Sequence, residues 1–187
     1  MRVGIAGAGG IGSNVAFQLV RAGVNCLKIV DFDRIEISNL NRQFYFAEQV
    51  GRAKAPALVE NLRRIDPAAD LEALVMRLDS GNMAAIFRDV DVVVEGFDGA
   101  VDKKTLLETF AGSQKMVVAA SGVAGLDLNG ITVRRMGNCH IVGDFTTEAG
   151  AGNLYAPKVI MVAAMMSQII LKRYLEHLDF SPGTNKK

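Results

Sequence analysis

The chain has 187 residues, half of them hydrophobic, which is enough for one folded domain with a proper core. Its formal net charge of +1, without a long run of either sign, argues against nucleic acid as an electrostatic partner. The two cysteines form no C-x-x-C pair, which argues against a disulfide framework and favours a reducing cytoplasm. We expect neither a signal peptide nor a membrane span, because the chain opens as a strand and its longest apolar stretch, 159–171, contains two polar residues.

The first part of the chain has a strand–helix–strand pattern. Strands are predicted at Arg2–Ala6 and Cys26–Phe32 with a helix at Ile11–Arg21 between them, which together form a βαβ unit. The polar and aromatic stretch Asn39–Phe46 has no clear period, and we interpret it as a loop with room for a short turn of helix. A helix is predicted at Ala53–Ile65, where Asp-Pro follows and ends it.

The second part continues the alternation and then changes. The pattern predicts strands at Leu71–Leu78, Asp91–Glu95 and Met116–Ala120, a helix at Asp102–Phe110, an antiparallel pair at Ile131–Arg135 and Cys139–Val142, and a final helix at Lys158–His177. This order predicts an α/β fold, with a Rossmann-like, mostly parallel sheet, helices on both faces and a small antiparallel extension near the C-terminal part. We predict a single nucleotide-binding domain over 1–180 and a flexible tail over 181–187.

A glycine-rich turn follows the first strand. Gly7, Gly9, Gly10 and Gly12 lie between this strand and a helix, where glycine lets the backbone approach a phosphate and the helix offers free N–H groups. Asp31 follows Gly12 by 19 residues, at a position where a carboxylate can bind a ribose hydroxyl. The turn predicts a nucleotide site without deciding which nucleotide binds, and taken alone it would suggest NAD.

Later motifs distinguish these possibilities. The sequence reads GAGGIGS at 7–13, DFD at 31–33, SNLNRQ at 38–43 and GRAK at 51–54, with Phe-Asp at 97–98 after the fourth strand. In this order and spacing, over nearly the whole chain, the sequence resembles the ThiF/MoeB family, bacterial relatives of ubiquitin-activating enzymes, and in particular its short zinc-free ThiF members. The resemblance implies an adenylyltransferase that uses ATP and Mg²⁺ to activate the C-terminal glycine of a small sulfur-carrier protein.

The resemblance also implies a role for individual residues. Asp31 would hold the ribose of ATP, the glycine turn with Asn39, Arg42 and Lys54 would contact the phosphates, and Asp98 would hold Mg²⁺ near the α-phosphate. Asp33 either bonds the neighbouring loop or faces the nucleotide. Adenylation brings two anions together, so Arg42 and Lys54 would neutralise charge while Asp98 positions a hard cation. Catalytic roles therefore fall on these three residues.

Each of these residues has a simpler interpretation. Arg42 and Lys54 could be solvated surface residues, and Asp98 could cap the helix that follows it. The final helix, with its methionines, could serve the core alone, although its apolar residues extend around most of its circumference and could also bury a second copy. Because members of the resembled family are dimers, we expect a homodimer.

The chain departs from the family in three places. It lacks the two C-x-x-C pairs that hold zinc in close relatives, so we expect no zinc site and interpret Cys139 as a packed strand residue. The late loop, 145–154, has no cysteine that could carry sulfur covalently. Relatives begin with a helix that carries an arginine to the partner's ATP, whereas here Arg2 opens the first strand, at the wrong end to serve.

Several functional alternatives stay open. The carrier could be ThiS-like, for thiamine biosynthesis, or MoaD-like, for molybdopterin synthesis, and the short subfamily favours ThiS. An NAD(P)-dependent oxidoreductase would rest on the glycine turn and Asp31 alone, and neither His140 nor His177 follows a parallel strand. A non-catalytic nucleotide-binding module is the third possibility, but it would leave Arg42, Lys54 and Asp98 without a reason to occur together.

Overall fold

The computed structural model describes residues 1–147 and 152–179, and its centre is a seven-stranded sheet. The strands are β1 (Val3–Ala6), β2 (Cys26–Val30), β3 (Asp70–Leu74), β4 (Val92–Glu95), β5 (Met116–Ala120), β6 (Thr132–Met136) and β7 (Cys139–Gly143). The α-helices are α1 (Gly10–Arg21), α2 (Lys54–Arg63), α3 (Met83–Ile86), α4 (Ala100–Phe110) and α5 (Ala156–Asp179), and short 3-10 turns span Ile37–Asn39 and Ala47–Gln49.

The sheet has the order β3-β2-β1-β4-β5-β7-β6, and only the β6–β7 pair is antiparallel. The last residue of β1, Ala6, is in register with Val30 of β2 on one side and with Glu95 of β4 on the other. Residues that follow these three strands therefore emerge next to one another at the carboxyl edge of the sheet, where open α/β sheets bind ligands. This confirms the predicted α/β fold with its antiparallel extension.

The core lies on both faces of the sheet because successive strand residues point to opposite sides. On β1, Val3 and Ile5 belong to the cluster under α1, α2 and α5, whereas Ala6 belongs to the cluster under α3 and α4. Strand β4 divides in the same way, with Val92 and Val94 on the first face and Val93 on the second. Strands buried on both faces read as continuous apolar runs, which explains why these were recognisable in the sequence.

Two predicted strands are shorter in the structure. Strand β2 ends at Val30 rather than at Phe32, whose side chain is 52% exposed. Strand β3 ends at Leu74 rather than at Leu78. The carbonyl of Leu74 accepts a hydrogen bond from the N–H of Asp31, which follows β2. Leu78 is nevertheless buried, packed under the α3–α4 face as a loop residue. Leu78 is apolar because it is buried, although it does not belong to a strand. A hydrophobic pattern alone does not distinguish a buried loop residue from a buried strand residue.

Helix α3 was not predicted, because its four residues are too few to show a period. Helix α5 is 24 residues long and packs along α1, so much of it serves the core. Within the described residues, no helix combines the length and apolarity needed to cross a bilayer. The predicted tail, 181–187, lies outside the described residues, and the single-domain assignment stays a prediction.

Candidate nucleotide-binding site

The turn between β1 and α1 is packed too tightly for a side chain at Gly7 or at Gly12. Gly7 has a φ of +91°, which favours glycine, and a side-chain carbon at Gly12 would overlap the carbonyl oxygen of Gly7. A side-chain carbon at Gly96, just after β4, would lie 2.8 Å from the same oxygen. Helix α1 starts with Gly9 as its N-cap, without a side-chain cap and without an acidic residue in its first turn. Its N–H groups therefore remain suited to an anion.

Asp31 fastens the glycine turn to the end of β2. Its carboxylate accepts hydrogen bonds from the N–H groups of Ala8 (2.6 Å) and Asp33 (2.7 Å), and the residue is 7% exposed. Burial raises the pKa of Asp31, although these two N–H donors and the nearby charge of Lys54 oppose that shift. Asp31, Asp33 and Gly7 border a small cavity of about 40 Å³. The residue predicted to bind the ribose, Asp31, therefore lies beside the turn predicted to bind the phosphates.

The polar loop after β2 lies against the first turn of α1. The side-chain amide of Asn14 donates to the carbonyls of Gly10 (2.6 Å) and Arg42 (2.7 Å), and the Ser13 hydroxyl accepts from the N–H of Phe44 (3.0 Å). Asn39 shapes the loop itself, since its side-chain oxygen accepts from the N–H of Glu36 at 3.1 Å. In this structure Asn39 therefore has a local structural role, and its predicted phosphate contact stays a prediction.

Two side chains of this loop hold buried polar atoms without a hydrogen-bond partner in the described structure. They are Arg42, through its Nε, and Gln43, through its Oε1. The aliphatic part of Arg42 passes beside Gly10, and the amide of Gln43 lies beside Gly9. Buried polar atoms are almost always bonded in folded proteins, so this pair fits a polar ligand at the glycine turn. The Arg42 Nη1 atom bonds the Ser38 carbonyl and the Asn41 side chain, which fixes the guanidinium within the loop.

Lys54 is a buried cation next to the two aspartates. It is 5% exposed, and its Nζ lies 3.1 Å from a carboxylate oxygen of Asp33. Tyr45 lies nearby, and its hydroxyl donates a hydrogen bond to the carbonyl of Ala8 at 2.8 Å. Burial, and then the charge of Asp31, hold the pKa of Tyr45 well above its usual value, so this hydroxyl stays a donor. The surface interpretation of Lys54 is therefore wrong.

Asp98 borders a larger cavity, of about 460 Å³, at the carboxyl ends of β4 and β5. The walls include Ile11 of α1 and a run of small residues at 120–124. The side chain of Asp98 is exposed, and its carboxylate accepts no hydrogen bond within the described part of the chain. Gly99, rather than Asp98, occupies the N-cap of α4. The capping interpretation is therefore wrong, and the carboxylate stays available to a cation in the cavity.

A buried ion pair braces the same cavity. Glu95 is fully buried, pairs with the ammonium of Lys103, and accepts the N–H of Phe97 at 2.8 Å. The Lys103 ammonium also donates to the carbonyl of Ala120 at 2.6 Å, which ties the end of β5 to α4. Phe97 borders both cavities, so this pair fixes the residue between the Asp31 side and the Asp98 side of the site.

Comparison with known proteins now decides the family. The sequence profile of the ThiF family matches residues 1–186. The chain belongs to the ThiF family. The sulfur carrier protein adenylyltransferase of Thermus thermophilus is 42% identical over 95 residues, which cover 50% of this chain and 35% of that protein. The adenylyltransferase and sulfurtransferase MOCS3 of Caenorhabditis briggsae is 39% identical over 100 residues, covering 53% and 25%. The ThiF-family chain thus spans about a third or less of the length of these relatives.

Solved structures share the fold of this ThiF-family chain. The E. coli tRNA N6-threonylcarbamoyladenosine dehydratase TcdA in complex with ATP has a TM-score of 0.86 at 18% identity, covering 95% of this chain and 87% of that chain. E. coli MccB with ATP has a TM-score of 0.73 at 20% identity, covering 91% and 55%. At these identities the likeness establishes the fold alone.

The predicted site residues of this ThiF-family chain come together at one edge of the sheet. Gly7, Asp31 and Asp33 share the small cavity, Arg42 passes beside Gly10, and Lys54 pairs with Asp33. Glu95 and Lys103 were not singled out in the sequence. Gln43 was predicted only as part of the SNLNRQ motif, without a role of its own, whereas the Glu95–Lys103 pair depends on β4 and α4 packing together.

Proposed function

We propose that this chain binds ATP and adenylates the C-terminal glycine carboxylate of a small ubiquitin-like sulfur-carrier protein that ends in Gly-Gly. The observation that carries the proposal is the pair of unpartnered buried atoms, Arg42 Nε and Gln43 Oε1, held against a glycine turn with an uncapped helix start. A nucleoside triphosphate offers both the acceptors and the donors that this pair needs. The name of the Thermus thermophilus relative, a sulfur carrier protein adenylyltransferase, supports the same reaction.

The reaction requires charge neutralisation more than proton transfer. A carrier carboxylate oxygen would attack the α-phosphorus, the bond from that phosphorus to the bridging oxygen would break, and pyrophosphate would leave with the electron pair. No base is needed, since a C-terminal carboxylate has a pKa of about 3.5 and is ionised at neutral pH. Arg42 and Lys54 would offset the negative charge that gathers at the phosphates. Such groups act most strongly where water is excluded, and Lys54 is buried.

Magnesium would be held between Asp98 and the phosphates. Mg²⁺ prefers oxygen ligands and is often bound through one or two carboxylates together with substrate phosphates. Asp98 fits this donor set because its carboxylate borders the cavity next to the glycine turn and is not used as a helix cap. When bound, Mg²⁺ would stabilise the charge on the departing pyrophosphate.

The larger cavity fits the tail of the carrier. Its walls from 120 to 124 are Ala, Ser, Gly, Val and Ala, which leave room for an extended chain but little for large side chains. A tail that ends in glycines would reach Asp98 without steric conflict. We propose a ThiS-like carrier, with thiamine biosynthesis as the pathway, and a MoaD-like carrier as the alternative.

We further propose that the protein works as a cytoplasmic homodimer. The outward side of α5 supports a dimer, since Ile160 and Met161 are 40% and 38% exposed on a helix whose inward side packs on α1. Half-buried free thiols at Cys26 and Cys139 support a reducing compartment.

The test pairs ligand binding with turnover. ATP with Mg²⁺ should raise the melting temperature and NAD⁺ should not, and exchange of pyrophosphate into ATP should require a carrier protein. Replacing Gln43 by Met keeps the side-chain length and removes the unpartnered oxygen. Gln43→Met should therefore retain or gain stability while the affinity for ATP falls by roughly fivefold, as expected for one lost hydrogen bond from a neutral hydroxyl or amino donor of the nucleotide.

A larger shift with NAD⁺ than with ATP would overturn the proposal in favour of an oxidoreductase. ATP binding without exchange, across ThiS-like and MoaD-like carriers, would instead indicate a non-catalytic module. If Gln43→Met binds ATP as tightly as the parent chain, the unpartnered oxygen does not serve the nucleotide.

A further inference from the structure

Another cavity, separate from the two at the candidate nucleotide site, lies at the opposite end of the sheet from the glycine turn. It has a volume of about 490 Å³ and is bounded by the start of β5, the β6–β7 hairpin and the second half of α5. Lys115 and Met116 lie at the amino end of β5, whereas the candidate nucleotide site lies at its carboxyl end, about 13 Å along the strand. The two cavities therefore share β5 but no lining residue.

This separate cavity concentrates positive charge. Its lining carries four cations, Lys115, Arg135, Lys172 and Arg173, against one carboxylate, Glu176, which gives a local net charge of +3 in a chain whose total is +1. The potential of like charges in a cleft adds up, and it attracts anions there.

These cations keep hydrogen-bond donors that have no partner within the described part of the chain. Within residues 1–147 and 152–179, no ion pair is recorded for the four cations, and no hydrogen bond is recorded from Lys172 or Arg173. Arg135 donates only its Nε, to the carbonyl of Gly137 at 3.2 Å, so the fork of its guanidinium is available. Lys115 is held in place by the carbonyls of Arg88 and Val90, at 2.9 and 2.7 Å, which leaves one donor on its ammonium.

The floor of the cavity is less polar than its rim. Met116 and Ile169 are partly buried there and pack against the core. His140 joins them from β7, where burial and then the charge of Arg135 lower its pKa, so that its imidazole is neutral at pH 7. A neutral imidazole can donate one hydrogen bond, and guanidinium and ammonium groups grip phosphate oxygens. The rim thus suits a phosphate and the floor suits a small apolar group.

We propose that this cavity binds a small phosphate monoester, with its phosphate between Arg135, Lys172 and Arg173 and its organic part over Met116 and Ile169. The volume lies within the range of cavities that enclose small molecules, which favours such a ligand over a polymer. The site is independent of the proposed adenylation chemistry, because none of its residues belongs to the nucleotide site.

The chain carries its own reporter for this site. His140 and His177 are the only two histidines, and only His140 lines the cavity. A bound phosphate would stabilise the imidazolium form, so the pKa of His140 should rise when the site fills. The charged groups that line the cavity with His140 are Arg135 on β6, Lys115 before β5, and Lys172, Arg173 and Glu176 on α5. A His140→Asn variant assigns the two histidine signals.

The experiment is a titration of the full chain with phenyl phosphate, followed through the His140 ring protons by NMR in 150 mM NaCl. Saturable binding with a Kd below about 1 mM and an upward shift of the His140 pKa are expected. Arg135→Gln combined with Lys172→Gln should weaken binding by more than about tenfold, since each removes a charge-assisted hydrogen bond. Lys104→Gln, an exposed change on α4, is the matched control and should bind normally.

The nucleotide site needs its own control. Arg42→Gln should leave the response of His140 unchanged, because Arg42 belongs to the site at the other end of the sheet. No response of His140 up to 10 mM ligand would overturn the proposal. So would binding that survives the double variant, or binding of a single-stranded RNA of about 20 nucleotides in the absence of any binding of phenyl phosphate.

Discussion

At the residue scale, Asp98 is the side chain for which structure and chemistry make the sharpest prediction. Its carboxylate borders the cavity and is not the N-cap of α4, so replacing it with the isosteric amide should not weaken the fold. An amide is neutral and holds Mg²⁺ poorly where charge builds in the transition state. Asp98→Asn should therefore lower carrier-dependent ATP–pyrophosphate exchange by at least about a hundredfold, the scale for losing one electrostatic stabiliser.

ATP affinity and thermal stability of Asp98→Asn, measured on the same samples, distinguish a loss of catalysis from a loss of structure. Both should stay close to those of the parent chain, since Asp31, Arg42 and the glycine turn are untouched. Asp70→Asn, an exposed carboxylate at the start of β3 and hence at the other end of the sheet, is the matched control. A variant that still exchanges at the parent rate would remove Asp98 from the catalytic residues.

Motifs predicted which residues lie together at the carboxyl edge of the sheet, but they did not predict the burial or the bonding of each side chain. The glycines, Asp31 and Asp98 were predicted because their positions after strands are fixed by local order along the chain. The burial of Lys54 was not predicted, because it depends on Asp33 and Tyr45 arriving from other elements. The unpartnered oxygen of Gln43 could not be predicted either, since it depends on how the loop packs on α1.

At the scale of elements, a buried ion pair joins the end of β7 to the start of α5. The ammonium of Lys158 lies 2.6 Å from the carboxylate of Asp144 and donates to the carbonyl of Ala124 at 2.7 Å. Asp144 also accepts the N–H groups of Thr146 and Thr147 and the Thr147 hydroxyl. Burial alone would raise the pKa of Asp144, but the hydrogen bonds from Lys158 and Thr147 hold it well below its ordinary value.

This pair should make stability depend on pH in the acid range. A carboxylate with a lowered pKa stabilises the fold fully above its unfolded pKa, about 3.9, and this contribution is lost as pH falls further. Asp144→Asn should therefore cost about 3 kcal/mol of unfolding free energy at pH 7, as for a broken buried pair, and the difference should shrink below pH 4. Urea unfolding at pH 7, 4 and 2.5 measures this, because the contribution disappears only as pH falls towards the folded pKa.

Asp127→Asn is the control for that series. Asp127 also accepts a backbone N–H, from Asn129 at 2.9 Å, but it lies in an exposed loop. Its replacement should change stability by about 1 kcal/mol or less at any pH. A deficit of Asp144→Asn that stays constant down to pH 2.5 would show that the charge of Asp144 does not stabilise the fold.

The ends of elements were the weakest part of the sequence prediction. The apolar run at 71–78 contains a strand followed by a loop, and Leu78 packs in the core from that loop. The helices and the central strands were predicted closely, because continuous apolar runs and helical spacing extend over most of their length. The clamp between Asp144 and Lys158 could not be predicted, since its two residues lie on either side of a loop whose path the sequence does not specify.

At the scale of the whole molecule, the sheet order explains why one fold presents two separate sites. Parallel strands place the residues after β1, β2 and β4 at one edge, where the candidate nucleotide site lies. The β6–β7 hairpin extends the sheet beyond β5 and, with α5, encloses the basic cavity near the opposite edge. Strand pairing and the two-sided core position the elements around both sites.

The last prediction follows from that arrangement and concerns zinc. Cys26 lies on β2 and Cys139 on β7, with β1, β4 and β5 between them, so the two thiols are about 19 Å apart across the sheet. His140 follows Cys139 directly on β7, and adjacent strand residues point to opposite faces, so these two side chains cannot share an ion. Burial also raises the pKa of both thiols, which disfavours the thiolate that zinc requires.

Among the described residues, no group of three His, Cys, Asp or Glu side chains is placed to hold a metal, and residues 148–151 and 180–187 contain no Cys or His. Structural zinc needs four protein ligands and contributes directly to folding. The purified chain should therefore contain far less than one zinc per molecule by elemental analysis, and dialysis against EDTA should leave its melting temperature unchanged. One zinc per chain, or a fall in melting temperature that added zinc reverses, would contradict this prediction and would require ligands from a second copy of the chain.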